Sequence, residues 1–341
     1  MGSVLPSSPD PQPDPFSFSG QVDLPDGSAP PEPPIIQSVC GSRVRTVAYC
    51  DRKGKFWFSL LNNPWGDPWL EASPFGYGGF VSNLSSCGLR AYLPGYYSPL
   101  FSLANRGPFS WPGIGTFRLN RPAGVEGAAV SFTTLAAPKL ARKHFEKALK
   151  HLRNAKLEKA AAELELAVEE HPEYAAAWAL LGEVRQQLRY EWGIREAFER
   201  SLEADSRYLR PYAPLIRIEI EEEDFTRAAE LAAKAIRLNP LSAELRYHLA
   251  LAQYNLGDLE AARYSIRRAV EADDIAEQPE AYVLYGKLLA QEGNTAAAAE
   301  QYRQFLALRP GAEIATGLRL QLRVWGEAAE LPVPQQAEAR Q

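Results

Sequence analysis

Residues 138–172 read PKLARKHFEKALKHLRNAKLEKAAAELELAVEEHP, two helix-patterned runs closed by a proline, and the pattern returns 34 residues later. Helix pairs close again at Pro240 and Pro310. In register, the first helix of each pair carries Ala148, Gly182, Ile216, Ala250 or Gly286 at one slot. The second helix brings Ala160, Ile194, Ala228, Ala262 and Ala298 to a second slot, and Ala167, Ser201, Ala235, Ala269 and Phe305 to a third. The last spacing is 36, and the two extra residues are placed around Asp274 to Ala276. Antiparallel helices need small residues where backbones cross and bulky ones such as Leu164, Phe198, Ile266 and Tyr302 between pairs. Half the chain is thereby expected to be an all-α array of stacked helix pairs.

Composition divides the chain at the same place. Residues 1–137 hold 18 of the 27 prolines, 16 of the 24 glycines and all three cysteines, so the front is expected to be β-rich or irregular. Residues 138–341 carry 28 basic and 33 acidic side chains, a mildly acidic surface that argues against nucleic acid as a partner. No stretch approaches 18 apolar residues, so no membrane span is expected. Met1 to Pro15 has neither a basic nor an apolar segment of the signal-peptide kind and reads as a disordered leader.

Alternation of apolar and polar residues marks short strands at Phe16–Val22, Val44–Ala48, Phe56–Leu60, Leu89–Leu93, Leu100–Leu103 and Thr116–Leu119. Asp51-Arg-Lys-Gly54 lies between two of them and is expected to close a hairpin. Short strands with Gly and Pro punctuation read as an immunoglobulin-like β-sandwich.

With Trp178-Ala-Leu-Leu-Gly182 followed by Phe198, the second unit resembles the tetratricopeptide repeat, with departures at Arg185, Ile194, Ser206 and Asp274. Gly20-Gln-Val22, Asp26-Gly27, Asp51 to Phe56, Leu93-Pro-Gly95-Tyr96 and the strand at Thr116 follow an order that resembles the carboxypeptidase regulatory-like, transthyretin-type sandwich. The combination, with Val125-Glu-Gly127 between the parts, resembles uncharacterised exported proteins of soil bacteria, which implies a periplasmic or extracellular address. The expected organisation is a leader 1–15, a sandwich 16–121 with an insertion 62–86, and a linker 122–137. Five repeats follow at 138–172, 173–206, 207–240, 241–276 and 277–310, then a capping helix 311–326 and a disordered tail 327–341.

Cys40, Cys50 and Cys87 match no zinc spacing; a Cys40–Cys87 disulfide at the base of the insertion, leaving Cys50 over, is expected in an oxidising compartment, and three buried free thiols in a reducing one. Trp65, Trp69 and Tyr77 in the insertion are candidate ligand contacts, for carbohydrate or a partner; folded back, they would instead cover an open face of the sandwich. His144, His151, His171 and His248 lack metal spacing, and no nucleophile elbow or phosphate loop occurs. The acids from Glu219 to Asp224 lack the pattern of a calcium loop and read as a solvated helix end. No enzyme, metal or cofactor is expected.

The repeat resemblance implies a concave wall built from the first helices, and mapping its slots gives a candidate peptide groove. The groove residues are Arg142, Phe145 and Arg153 from unit one, Gln187 from unit two, and Arg210 and Arg217 from unit three. Tyr247, Tyr254 and Asn255 come from unit four and Lys287 from unit five, with Leu149, Glu183, Leu251 and Gln291 in neighbouring slots. Alternatively, Phe145, Leu149 and Leu251 contact the linker. The expected function is a protein-interaction scaffold; a carbohydrate or envelope-binding module and a structural subunit of a surface assembly are the other readings.

Overall fold

The computed structural model describes residues 17–40, 43–59, 87–103, 113–190, 192–272, 275 and 278–326, which divide into two compact units. The insertion with Trp65, Trp69 and Tyr77, the leader and the tail lie outside the described residues.

The first unit is built on strands β1 (Ser17–Asp23), β2 (Ile35–Cys40), β3 (Arg43–Tyr49), β4 (Lys55–Ser59), β5 (Cys87–Tyr92), β6 (Phe101–Ser102) and β7 (Gly113–Arg118). They form a three-stranded sheet in the order β4-β1-β7 and a four-stranded sheet in the order β3-β2-β5-β6. β1 runs antiparallel to β4 and parallel to β7, while β2 is antiparallel to both its neighbours. Val22, Phe56, Phe58 and Phe117 of one sheet and Ile36, Val39, Val47 and Leu89 of the other are buried, with the alternation cleanest in β4, where Phe56 and Phe58 share the inner face. The Phe117 ring meets Phe56 at 5.9 Å and, across the sheets, Phe101 at 6.1 Å. This is a β-sandwich.

The expected hairpin at Asp51–Gly54 is corrected. β3 and β4 belong to different sheets, so the turn passes the chain from one sheet to the other. Asp51 Oδ1 accepts from the amides of Lys53 and Lys55, both at 2.8 Å, and Gly54 takes the left-handed φ of 76°. A side chain at Gly54 would also place its Cβ 2.0 Å from the Val22 carbonyl oxygen, so the turn tolerates glycine alone. The central strand β2 was not among the expected strands, because Pro30 to Pro34 directly precede it and its buried run does not alternate cleanly.

The second unit is helical. A short helix α1 (Phe132–Ala136) precedes five antiparallel pairs: α2 (Lys139–Arg153) with α3 (Leu157–Glu170), α4 (Ala175–Gln187) with α5 (Ile194–Ala204), α6 (Tyr212–Glu221) with α7 (Phe225–Leu238), α8 (Ala243–Asn255) with α9 (Leu259–Val270), and α10 (Glu280–Gln291) with α11 (Thr295–Leu308). Helix α12 (Ala315–Val324) closes the stack with Leu318 and Leu322 inward. The small-residue slots behave as the period demands: Ala148, Ala160, Ala167, Ala228, Ala235, Ala250, Ala262, Ala269 and Ala298 have no exposed surface. Ile194, a departure at such a slot, is only partly buried.

Crossings at glycine are tight. A Cβ on Gly182 would lie 2.7 Å from Phe198 Cε1, and one on Gly286 2.3 Å from Tyr302 Cε1. The turn that follows the first helix of each pair holds a residue at positive φ, namely Ala155, Arg189, Glu223, Gly257 and Gly293, and unit two adds Gly193 just before its second helix. The positions that follow the first helices repeat the 34, 34, 34 and 36 spacings, an independent trace of the same register. Units three to five then cap their second helix with a side chain, Asp224, Asp258 and Asn294 each accepting from the backbone amide three residues on, whereas Lys156 and Tyr190 hold that slot in units one and two.

Residues 122–137, expected to be a linker, are bound to the helical unit along much of their length. The amides of Glu126 and Gly127 both donate to the Leu238 carbonyl at 2.8 Å, and Ala128 exchanges bonds with the Arg207 carbonyl (2.7 Å) and the Leu209 amide (3.0 Å). Ser131 Oγ caps α1 and donates to Asp205 at 2.7 Å, while Thr133 Oγ1 accepts from the Ala175 amide. Size contributes: a Cβ at Gly127 would come within 2.6 Å of the Leu209 side chain, which would have to shift to admit any larger residue.

Candidate functional site

The first helices α2, α4, α6, α8 and α10, and for Arg210 the turn just ahead of α6, bring the expected groove residues onto successive units, but those residues differ in what they are free to do. Arg142 and Arg153 are exposed on α2, and Lys287 is exposed on α10; none has an ion pair among the described residues. Phe145 packs on Tyr174 with ring centroids 5.2 Å apart, which commits it to the neighbouring unit rather than to a ligand. Gln187 is partly buried near the end of α4.

In units two and three the expected cations are already engaged. Arg210 grips both carboxylate oxygens of Glu183 at 2.7 Å, with side chains 10% and 20% exposed. Arg217 reaches Glu244 at 3.2 Å in a more open setting. The two pairs use the same slots with the signs exchanged, because 183 and 217, like 210 and 244, differ by one repeat. At the next boundary the slots hold Leu251 and Glu280, which cannot pair with each other, and the ion pair between those units is made elsewhere, by Arg263 and Glu292. Desolvation instead pushes the Glu280 carboxyl above its ordinary range, and Arg309 partly opposes this.

The unit-four face is therefore aromatic and apolar. Tyr247, Leu251 and Tyr254, at successive turns of α8, pack partly buried against a core of Ala250, Ala262, Ile266, Leu284 and Leu288. Burial, with Glu280 second, pushes the Tyr247 hydroxyl up to about 12. Tyr254 accepts from Gln291 Nε2 at 3.1 Å, and Asn255 donates to the Leu251 carbonyl at 2.8 Å, holding the helix end. His248, beside Tyr247, is fully enclosed; burial pushes its imidazole down to about 4, with Glu244 opposing and Arg217 reinforcing the shift.

Of the acids from Glu219 to Asp224, Glu221, Glu222, Glu223 and Asp224 lie exposed at the helix end as expected, and Glu219 is the exception. Glu219 has no exposed surface and sits between Arg195 and Arg227, which also hold Glu222 and Glu199, joining the second unit to the third. Asp224 caps α7. The signal was present as opposite charges 27 residues apart: 183 with 210, 217 with 244 and 195 with 222; Arg263 with Glu292 repeats the last across the two-residue insertion. Among the described residues no group of three His, Cys, Asp or Glu is placed to hold a metal ion, and no helix is long and apolar enough to cross a membrane.

In the sandwich, Cys40 and Cys87 are direct register partners of β2 and β5. The Cys40 side chain lies outside the described residues. Cys50 is a buried thiol, raised well above the ordinary range by burial and then by Asp51.

Fold and site together define a β-sandwich followed by a solenoid of helix pairs. Residues 215–277 and 265–313 match the family model of the tetratricopeptide repeat, so residues 215–313 carry repeats of that kind. Among solved structures the chain is similar to YrrB, a TPR protein with an unusual peptide-binding site (21% identity, TM-score 0.46, 58% of this chain and 100% of that one). It is also similar to PilF of Pseudomonas aeruginosa (21%, 0.47, 55% and 86%) and to MamA from residue 41 of Desulfovibrio magneticus RS-1 (16%, 0.45, 52% and 99%). A comparison with curated proteins finds no match.

Proposed function

We propose that the chain is a non-enzymatic scaffold that captures a protein or peptide segment on the first-helix face of units four and five. The observation that carries this is the contrast along that face: Glu183, Arg210, Arg217 and Glu244 satisfy one another, while Tyr247, Leu251, Tyr254 and Lys287 offer aromatic, apolar and cationic groups without a completed ion pair. Aromatic groups that are already partly desolvated lose little water and little side-chain entropy on binding, which is why they dominate protein interfaces. A small substrate would need an enclosed polar pocket, whereas an extended segment needs only a lined wall. Truncating Tyr254 and Lys287 to Ala should weaken capture of a partner, while Arg267→Ala, on α9, should not; equal capture by all three chains would remove this reading.

The sandwich resembles a carboxypeptidase regulatory-like module, and the reading extends it to an extracytoplasmic setting in which Cys40 and Cys87 join. Their facing register favours that bond, and peptide mapping without reductant tests it. Carbohydrate or envelope binding through Trp65, Trp69 and Tyr77 is the second reading, supported by the aromatic content of that loop, and glycan-array binding lost on their mutation would favour it over the first.

A further inference from the structure

Helix α2 is the most basic element of the array. Projected at about 100° per residue, Lys139, Arg142, Lys143, Lys150 and Arg153 share one arc of about 100° with a single acid, Glu146, and all six are exposed. The opposite side of the helix, Ala141, Ala148 and Leu152, has no exposed surface. Lys147, off the arc, is held by Glu163 at 3.2 Å, whereas Lys139, Arg142, Lys143 and Arg153 make no ion pair among the described residues. Of the 28 basic and 33 acidic side chains of residues 138–341, six of the former and one of the latter lie in α2. The stripe thus stands against an otherwise acidic array.

We propose that this stripe docks an acidic polypeptide segment of a partner protein. From Lys139 to Arg153 it runs about 21 Å, matching about six residues of extended chain, or a helix with carboxylates one turn apart. Charge complementarity on this scale steers encounter and fixes register. Nucleic acid fits less well, since the chain carries a net charge of −5 and Glu146 interrupts the stripe where a phosphate backbone would be continuous. An anionic bilayer needs apolar side chains to insert, and the arc holds none; Leu140 lies outside it. End-to-end stacking of copies would set α2 against α12, whose charged residues are Arg319 and Arg323. The inference adds a contact to the scaffold reading but does not use the Tyr254 face.

The test uses the full chain and a fluorescent glutamate peptide of about ten residues, long enough to overlap the stripe. Binding should weaken as salt rises, and Arg142→Glu/Lys143→Glu/Arg153→Glu should lower affinity by about tenfold or more, with the glutamine triple variant showing a smaller loss. Lys159→Glu/Lys234→Glu and Tyr254→Ala should bind as the parent does, so failure of the tyrosine face would leave this result standing. The proposal is overturned if the peptide does not bind, or if a circular-dichroism-checked triple variant binds it unchanged. It is also overturned if single-stranded DNA of matched charge or phosphatidylglycerol vesicles bind more tightly than the peptide, or if the triple variant abolishes self-association of the parent instead.

Discussion

Units two and three and units four and five present the same slots on their first helices, and use them differently. In the middle of the array, Glu183 and Arg217 reach 27 residues forward to Arg210 and Glu244, so each boundary is closed by its own charges. Toward the C-terminal end the corresponding slots are Leu251 and Glu280, and the face is left to tyrosines over a desolvated interior. A repeat can therefore spend one position on cohesion or leave it for recognition. Charge at a groove slot is evidence of binding only after its neighbour one unit on has been inspected.

The sharpest way to break the contrast is through His248, whose enclosure depends on the C-terminal half being dry. Its folded pKa of about 4 lies below the ordinary value of 6.5, so the folded and unfolded chains are both neutral there above pH 6.5 and the group then exerts no pH effect. As pH falls from 6.5 toward 4, the unfolded chain takes up the proton first, and stability should drop by up to about 3 kcal/mol. Urea midpoints at pH 7 and pH 4.5 should show this slope in the parent and a smaller one in His248→Leu; identical slopes would mean the site is wet.

The shared register is tested by Gly182→Leu. Phe198 already lies 2.7 Å from where a Cβ would be, so overpacking should cost about 2 kcal/mol or more in a thermal melt. An unchanged melting temperature would dissolve the register and the comparison with it.

Ion pairing gives a finer division. Arg210→Ala strands the partly buried Glu183 and should cost about 1–2 kcal/mol, while Arg217→Ala, in an exposed pair, should cost less than about 1 kcal/mol. Equal losses would mean that the two boundaries do not differ in burial as described. Smallest of all, Ala155→Gly should gain about 0.5 kcal/mol by relieving the positive φ of 49°, against no gain at Gly257, where the relief is already present.

The array was legible because its constraint is local and periodic: small residues such as Ala148 and Ala250 must recur wherever backbones cross, and they do. The sandwich was legible in most of its strands, β2 excepted, but not in its pairing, since which sheet receives β4 depends on contacts far apart in sequence. Asp51–Gly54 was correctly a tight turn and wrongly a hairpin, because turn chemistry fixes the local bend and not the destination of the next strand. Gly127, Ala128 and Ala129 read as linker because small residues are ambiguous between freedom and close packing. At the site, helix-face positions were readable for Tyr247 and Tyr254, whereas the engagement of Arg210 by Glu183 needed charges compared across units. Tyr247 also proves more enclosed than a displayed anchor, so its truncation would lower stability as well as binding.

The most direct test of the central claim is quantitative capture of partners from extracts of the native organism by the parent and by Tyr254→Ala/Lys287→Ala, read by mass spectrometry alongside melting temperature. The scaffold reading predicts that specific partners fall by about fivefold or more, the equivalent of 1–2 kcal/mol, while the fold stays intact. The same partners retained at the same levels by the intact variant would contradict it and move the working surface away from units four and five.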